Sequence, residues 1–376
     1  MAGGGCVYCL QSGVELGKGK ARAQRVVAII PARNEQHGIA ATLESIGRQT
    51  RPPDRVIVVA NNCTDLTADV ARDHGAEVLE MEENKHMKAG ALNHALDRVV
   101  PSLRGRDCVL VMDADTTLSP NLVEECLQTL ADNVRAGAVS SIFTGRESKS
   151  LLGRLQLMEY WRYKRQIHRN GNRAFVLSGT ASIFRVRALD GVKRARDRGM
   201  LPFGGGGYYD VEGRTEDNEI TLALLAIGFD CPVAETTSVT DVMETPGMLY
   251  KQRERWYNGA MVNLMAYGRS LPWYMRWVYW GQQAGLVGSL LFFLAYLAVL
   301  LFSPLYGGVS IDWRWLIPLG IQAIERTVTV WELGWKARLI AASLIPEQLY
   351  SVFLLLVFGI GLKNLVTGQK GLWHAT

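Results

Sequence analysis

The sequence lacks the patterns that mark several common protein classes. Its first strand-to-helix turn, Pro31-Ala32-Arg33-Asn34-Glu35, contains no G-x-G-x-x-G, which argues against a nicotinamide or flavin dinucleotide site. Only six of the 376 residues are cysteine, and the one close pair, Cys6 and Cys9, has no second pair with which to bind zinc. We therefore expect a reducing environment around the soluble part of the chain.

The N-terminus and the overall charge exclude further classes. Residues 1–25 are rich in glycine and polar residues and contain no apolar run of signal-peptide length, so we predict a flexible lead-in that is neither exported nor cleaved. The formal net charge of +5 is small for this length. It suits a protein that faces anionic lipid or phosphate, and we predict no nucleic-acid partner.

Short apolar runs alternate with helical patterns in the first half of the chain. The runs with the length of buried strands cover residues 26–30, 56–59, 77–80 and 109–112. Ser119-Pro120 predicts the N-cap and first position of the helix after the last run. The alternation predicts an α/β fold with a mostly parallel sheet and helices on both faces, which binds ligands beyond the carboxyl ends of its strands.

Two carboxylates directly after the fourth run give the sharpest chemical signal. Asp113 and Asp115 are two residues apart on the tight exit from a strand, so both can face one site. A hard cation such as Mg²⁺ or Mn²⁺ prefers oxygen ligands and often takes only one or two carboxylates, with substrate phosphates completing its shell. The alternative is a turn with two solvated acids.

A third acid opens a later helix. Thr215-Glu216-Asp217 precedes a helical pattern that ends at Gly228, so Asp217 is either a catalytic base or a helix cap. The segment before it, residues 203–209, combines four glycines with three aromatic residues and predicts a mobile wall that a substrate can approach closely.

Two basic motifs could neutralise phosphate. Gln252, Arg255 and Trp256 lie on one face if residues 252–256 are helical, where arginine can clamp a diphosphate and tryptophan can meet a sugar ring. The alternative is a basic helix at a membrane surface. Lys88 precedes a predicted helix; a solvated lysine is the alternative there.

The order of these motifs resembles that of the family 2 glycosyltransferases. Within that family it is similar to the branch of cellulose, chitin, hyaluronan and poly-N-acetylglucosamine synthases, over roughly residues 25 to 265. The resemblance rests on Pro31 with Asn34-Glu35, Lys88-x-x-Ala91-Leu92-Asn93, Asp113-x-Asp115, Thr215-Glu216-Asp217 and Gln252-x-x-Arg255-Trp256. It implies a GT-A fold, a UDP-sugar donor, a divalent metal (Mg²⁺ or Mn²⁺) and inversion at the anomeric carbon.

The resemblance also implies a role for each motif. It makes Asp217 the catalytic base and Asp115 the metal ligand. The residues it implies around the nucleotide sugar and acceptor are Pro31, Asn34, Glu35, Asn61, Lys88, Asp113, Gln252, Arg255 and Trp256. Asn61 departs from the family pattern, which usually has an acid just after the second strand, so the identity of the nucleotide stays open.

The last quarter of the chain has the composition of a membrane region. Residues 277–302 are almost free of charge and long enough to span the hydrocarbon, and residues 344–362 form a second candidate interrupted by Glu347. Residues 315–331, with Glu325 and Arg326, either form a third span or lie in the interface. We predict a lead-in (1–25), a GT-A domain (26–270) and a transmembrane or interfacial helical region (271–376).

These observations predict a multi-pass plasma-membrane enzyme whose catalytic domain is cytoplasmic. It would transfer sugar to a growing polysaccharide; the alternative is a single addition to a lipid-linked or other membrane acceptor. Two or three helices make a thin wall for a channel, so a homo-oligomer or a membrane partner is an open expectation. The basic stretch at residues 151–169 is either a solvated face or a contact for anionic lipid or an acidic acceptor.

Overall fold

A computed structural model of the chain describes residues 24–306 and 313–367. The predicted lead-in up to residue 23, with Cys6 and Cys9, lies outside these residues. The described part contains an eight-stranded sheet in the order β3-β2-β1-β4-β7-β6-β8-β5. Its strands are β1 (Val26–Ala32), β2 (Arg55–Asn61), β3 (Glu77–Met81), β4 (Cys108–Val111), β5 (Thr117–Leu118), β6 (Ala138–Gly145), β7 (Ser182–Arg185) and β8 (Val233–Thr240).

The sheet is mixed rather than wholly parallel. Strands β3, β2, β1 and β4 are parallel, and the apolar run at Ile29 lies between Ile57 and Val111 of its neighbours. Strand β7 is antiparallel to both β4 and β6, and β5 is antiparallel to β8. The predicted strands therefore form the parallel half of the sheet, where the carboxyl ends of β1, β2 and β4 meet at one edge.

Helices cover both faces of this sheet, as predicted. The helices are α1 (Ile39–Gly47), α2 (Thr67–Asp73), α3 (Met87–Val99), α4 (Leu122–Asp132), α5 (Leu151–Arg169), α6 (Val186–Asp197), α7 (Glu216–Ala226), α8 (Pro246–Tyr267), α9 (Trp273–Phe302), α10 (Leu316–Thr329), α11 (Trp335–Ser343) and α12 (Ile345–Val366). Because strand side chains alternate, Ala28 and Ile30 pack in one apolar cluster with Ile39 of α1, whereas Ile29 packs in another with Leu92 of α3.

The prediction for the start of α4 was wrong. The helix begins at Leu122 with Asn121 at the N-cap, not at Pro120. Strand pairing extends one residue beyond β5, since the Ser119 amide donates to the Thr237 carbonyl. The Ser119 hydroxyl shares a hydrogen bond with the Thr236 hydroxyl at 2.7 Å and caps no helix.

In the described part of the chain, two helices are long and apolar enough to cross a membrane. They cover Trp273–Leu305, with a mean hydropathy of 2.5, and Ile345–Val366, with a mean hydropathy of 2.0. Large apolar side chains on both are exposed, including Phe292 and Leu349, which fits membrane association. Helix α10, in the stretch left open between them, has 14 residues. At about 1.5 Å per residue it is too short for a hydrocarbon core of roughly 30 Å.

The acid that interrupts the second apolar helix is paired rather than exposed. Glu347 is 5% exposed, and its carboxylate accepts a 2.6 Å hydrogen bond from Arg162 of α5. Arg326 of α10 lies 3.8 Å from the same carboxylate. One residue of the basic stretch 151–169 thus holds the membrane-like region against the sheet domain, an outcome outside both alternatives considered for that stretch.

A buried ion pair fixes the start of α7. Arg196 of α6 bonds to Glu219 of α7, and both side chains are fully buried. Glu219 also accepts from the Tyr267 hydroxyl of α8, and Arg196 donates to the Phe203 carbonyl at 3.0 Å. Three helices and one loop therefore meet at this ion pair, and the Glu219 carboxylate has a paired cation only while Arg196 is present.

We expect Arg196→Met to destabilise the fold by roughly 3–5 kcal/mol, because it leaves a buried carboxylate without its cation. Urea unfolding of the chain in mild detergent measures the change. Arg194→Met on the same helix is the matched control, since Arg194 is exposed and its ion pair with Asp190 is 3.9 Å long; a change below about 0.5 kcal/mol is expected there. Equal effects of the two substitutions would contradict the role of the buried pair.

Candidate active site

A cleft of about 1490 Å³ opens at the carboxyl ends of β1, β2 and β4. This exceeds the roughly 300–1,000 Å³ of most small-molecule sites, so the cleft has room for a donor and an acceptor together. All of the predicted site residues line it: Pro31, Asn34, Glu35, Asn61, Lys88, Asp113, Asp115, Asp217, Gln252, Arg255 and Trp256. Motifs far apart in the chain thus share one cavity, although their individual roles stay predictions.

Lys88 joins the Asp113-x-Asp115 motif to the Thr215-Glu216-Asp217 motif. The Lys88 ammonium lies 2.5 Å from an Asp113 oxygen and 3.0 Å from a Glu216 oxygen. Burial opposes its charge, but the two carboxylates outweigh burial and raise the pKa of Lys88. A Cβ at Gly179 would lie 2.7 Å from this ammonium, so the loop before β7 needs glycine there. Lys88 is therefore not the solvated lysine of the alternative interpretation.

Asp115 lies in a corner rich in carboxylates. Its Oδ1 accepts from the Thr116 hydroxyl at 3.2 Å. Burial and the charges of Asp113 and Asp241 raise the pKa of Asp115 to about 6. Burial and the charge of Asp115 likewise raise the pKa of Glu35 to about 7. Burial and neighbouring negative charges both disfavour ionisation of these carboxyl groups, and a divalent cation would favour it.

The donor set fits a hard cation that the substrate helps to hold. In residues 24–306 and 313–367, no group of three or more histidine, cysteine or acidic side chains forms a preassembled metal cage. Asp115, with its carboxylate oxygens and with Asp113 two residues away, still matches the ligand type and low protein ligand count of Mg²⁺ and Mn²⁺ sites completed by phosphates.

Asp217 lies in the first turn of α7, and Thr215 occupies the N-cap position. Asp217 is therefore not the N-cap residue, although its carboxylate does accept from an amide of the first turn. Its Oδ1 accepts from the Asn218 amide at 2.7 Å. Burial and the charge of Glu216 raise the pKa of Asp217 to about 6, against the opposing charges of Lys88 and Arg255. A carboxylate tuned in this way can accept a proton near neutral pH.

A sequence model of the family "Glycosyl transferase family 2" matches residues 27–192. These residues form a family 2 glycosyltransferase domain. Among curated proteins it is similar to "Poly-beta-1,6-N-acetyl-D-glucosamine synthase" of Staphylococcus epidermidis, at 26% identity over 240 residues covering 62% of this chain and 53% of the relative. The Staphylococcus aureus protein of that name is 25% identical over 245 residues, covering 62% of this chain and 54% of its own. The chain thus spans about half the length of these relatives.

A solved structure shares the fold over nearly the whole chain. It is the mannosyltransferase PcManGT from Pyrobaculum calidifontis, solved in complex with GDP-Man and Mn²⁺, with 18% identity and a TM-score of 0.58. The match covers 92% of this chain and 88% of that one. At this identity the likeness concerns the fold alone, and it agrees with the Rossmann-like GT-A architecture.

Helix α8 presents Gln252-x-x-Arg255-Trp256 to the cleft. Gln252 and Trp256 line the cleft, and the buried Gln252 Oε1 has no hydrogen-bond partner among the described residues. Arg253 is 3% exposed, which does not fit the alternative of a basic helix at a membrane surface. It donates to Glu159 of α5 at 2.7 Å and lies 4.4 Å from the centre of the Trp256 ring. Sequence reasoning missed Arg253, although its i, i+3 spacing to Trp256 was a usable signal.

The glycine segment does not form the predicted wall. Residues 204–207 are absent from the cleft lining, which instead includes Val211, Glu212 and Gly213. Asn93 explains the difference. Its side chain bonds to the Tyr208 and Tyr209 amides and to the Tyr209 carbonyl at 2.8–2.9 Å, and it leaves no room for a Cβ at Gly207. Asn93, which does not line the cleft, therefore fixes the loop that contains the glycine segment.

Asn61 lines the cleft, as the sequence predicts, but its side-chain amide is hydrogen-bonded to neighbouring residues. It donates to the Met87 carbonyl at 3.2 Å and accepts from Asn84 at 2.8 Å. Asn34 adopts a left-handed backbone with φ of 57°, and its Oδ1 accepts from the Thr64 amide at 2.8 Å. Both asparagines thus shape the loops at this end of the cleft, and their contacts with a nucleotide stay predictions.

We expect Asp217→Asn to stabilise the fold above pH 6 by about 1–3 kcal/mol. The folded-state pKa of about 6 exceeds the ordinary value of 3.8, so the stability contributed by the protonated carboxyl is full below pH 3.8 and lost as the pH rises through 6. Thermal melts at pH 5 and pH 8 should show that the melting temperature of the variant exceeds that of the wild type by more at pH 8 than at pH 5.

Asp65→Asn is the control of opposite sign. Hydrogen bonds from Thr67 and Gln36 outweigh the effect of burial and lower the pKa of Asp65, so its removal should lower stability at pH 8. If the difference in melting temperature between Asp217→Asn and the wild type became smaller from pH 5 to pH 8, the raised pKa of Asp217 would be contradicted.

Proposed function

We propose that this chain is an inverting glycosyltransferase that moves a sugar from a nucleotide-diphosphate sugar, a UDP-sugar, to a growing polysaccharide. The observation that carries the proposal is the single cleft that joins Asp113 and Asp115 to Asp217 and to Trp256. The name of the Staphylococcus relatives supports a polysaccharide as the product, and N-acetylglucosamine is the first sugar to test.

The arrangement supports a direct displacement. The Asp217 carboxylate takes the proton of the acceptor hydroxyl while that oxygen forms a bond to the anomeric carbon, and the bond from this carbon to the diphosphate breaks. Arg255 offers charge to the departing diphosphate, and Trp256 offers a flat apolar face to the acceptor sugar. A cation held by Asp115 would stabilise the negative charge on the diphosphate.

The two apolar helices support a proposal about where the protein lies in the cell. We propose that residues 26–270 face the cytoplasm as the GT-A domain and that residues 271–376 anchor it in the plasma membrane with two spans. Residues 307–312 and 368–376 of the anchor lie outside the described part of the chain. The paired Glu347 and Arg162 support close packing of the two regions.

A second candidate is a single addition to a lipid-linked acceptor. The observation in its favour is that residues 24–306 and 313–367 contain two apolar helices of spanning length, and two make a thin wall for a polymer channel unless copies associate. Product length from the purified chain separates the two candidates. Incubation with a panel of UDP- and GDP-sugars, with release of the diphosphate as the readout, identifies the donor.

We expect Asp217→Asn to lower the rate of transfer by roughly 10²–10⁴-fold, because the acceptor hydroxyl loses its base. Donor binding should change little, which equilibrium binding of the nucleotide sugar measures. Asp190→Asn on α6 is the matched control, since Asp190 does not line the cleft. Near-normal turnover of Asp217→Asn would show that another group removes the proton.

We also expect transfer to depend on a divalent cation. Excess chelator should abolish activity, and Mg²⁺ or Mn²⁺ added beyond the chelator should restore it. Asp115→Asn should raise the metal concentration needed for half-maximal activity about tenfold or more. Full activity in excess chelator would overturn the metal-binding role of Asp115.

A further inference from the structure

The first two turns of α12 contact α5, and α5 in turn contacts α8, the helix that carries Gln252, Arg255 and Trp256. Glu347 and Tyr350 both line the cleft. The Glu347 carboxylate accepts from Arg162 of α5 at 2.6 Å, and the Tyr350 hydroxyl donates to Glu159 of α5 at 2.5 Å. Glu347 is 5% exposed and Tyr350 is 9% exposed. A helix with the composition of a membrane span therefore contributes polar groups to the wall of the cleft.

One carboxylate oxygen connects α12 to α8. Glu159 Oε2 accepts from the Tyr350 hydroxyl and, at 2.7 Å, from the Arg253 guanidinium. The Arg253 side chain is 4% exposed, and its Nε has no hydrogen-bond partner among the described residues. The Tyr160 and Tyr350 hydroxyls also hydrogen-bond with Arg253. The position of Arg253 is thus set by Glu159 and these two tyrosines, and Tyr350 acts on it both directly and through Glu159.

The guanidinium of Arg253 in turn supports the Trp256 ring. It lies 4.4 Å from the ring centre and 5.8 Å from the centre of the Tyr160 ring. A desolvated cation over an indole face is a directional contact that fixes the plane of the ring. Trp256 is half-buried and lines the cleft, so the plane of its ring determines how an apolar sugar face can lie against it.

We propose that Tyr350, Glu159 and Arg253 are positioning residues that set the orientation of Trp256 from the membrane helix. The contacts run from α12 through α5 to α8 and end at the acceptor side of the cleft. That Trp256 meets the acceptor rests on the proposed function, whereas the dependence of its orientation on Tyr350 does not. Release of α12 from α5 would weaken acceptor binding while the donor residues stay in place.

A purely structural anchor predicts a different result. If Tyr350 only held α12 to the domain, its hydroxyl would affect thermal stability and leave Trp256 unchanged. Tyr350→Phe separates the two cases because it removes the hydrogen bond and keeps the ring. Arg253→Lys is a second variant, since it keeps the positive charge beside Glu159 and removes the planar group over the indole.

The first measurement needs no substrate. The full chain, labelled with 5-fluorotryptophan in detergent micelles, gives a ¹⁹F resonance for Trp256 that is identified by its absence in Trp256→Phe. We expect Tyr350→Phe and Arg253→Lys each to displace or broaden this resonance. Tyr296→Phe on α9 is the matched control, because Tyr296 is 59% exposed on an apolar helix and should leave the resonance in place. A Trp256 resonance unmoved by both variants overturns the proposal.

The second measurement uses UDP-N-acetylglucosamine with a β-1,6-linked N-acetylglucosamine pentamer as the acceptor probe. We expect Tyr350→Phe to raise the acceptor KM about fivefold and to leave the donor KM unchanged. In a Trp256→Ala background the same substitution should have no further effect. An equal effect in both backgrounds overturns the proposal. If Trp256→Ala itself leaves the acceptor KM unchanged, the acceptor role of Trp256 is wrong, and the ¹⁹F result still decides the positioning chain.

Discussion

Asp113 follows β4 and Glu216 begins α7, so they come from distant parts of the chain. Two carboxylates brought together in a partly buried corner repel each other unless a cation lies between them. The Lys88 ammonium provides it, at 2.5 Å and 3.0 Å from the two side chains. The start of α3, the end of β4 and the start of α7 must therefore meet at one point. Asp217 follows Glu216 directly, so this contact also determines where the proposed base lies in the cleft.

The parallel half of the sheet and the cleft at its edge could be predicted from sequence because they depend on local patterns. Apolar runs of strand length, such as the one containing Ile29, are buried on both faces and form neighbouring strands. Acids directly after such runs have to emerge at the same edge. The failures concern contacts between distant segments. The start of α4 depends on pairing of Ser119 with β8, and the place of the glycine segment depends on Asn93. Neither partner is visible in a local window.

The apolar C-terminal helices show a similar limit of hydropathy. Glu347 lowers the mean hydropathy of its helix, because a hydropathy scale counts every acidic residue as if it were exposed to lipid. In the structure this acid faces inward and pairs with Arg162, so it indicates which side of α12 packs against the glycosyltransferase domain. Arg253 is a parallel case on α8: the alternative interpretation of its motif was a basic helix at a membrane surface, but Arg253 is buried between Glu159 and an indole ring. Charged residues in apolar or basic helices are best interpreted through the partner they require.

Two neighbouring acids in the site have pKa values shifted in opposite directions. Burial opposes the ionisation of Glu216, but the charges of Lys88 and Arg255 outweigh it and hold the pKa of Glu216 below its usual value. Asp217 is one residue further along and feels Glu216 as a repelling charge, which adds to burial and raises its pKa to about 6. Environments that separate the pKa values of adjacent acids commonly separate their roles. Glu216 stays ionised and holds the site together with Lys88, and this fixed charge makes Asp217 basic enough to accept a proton. The proposed catalysis at Asp217 therefore depends on the same lysine contact that assembles the cleft.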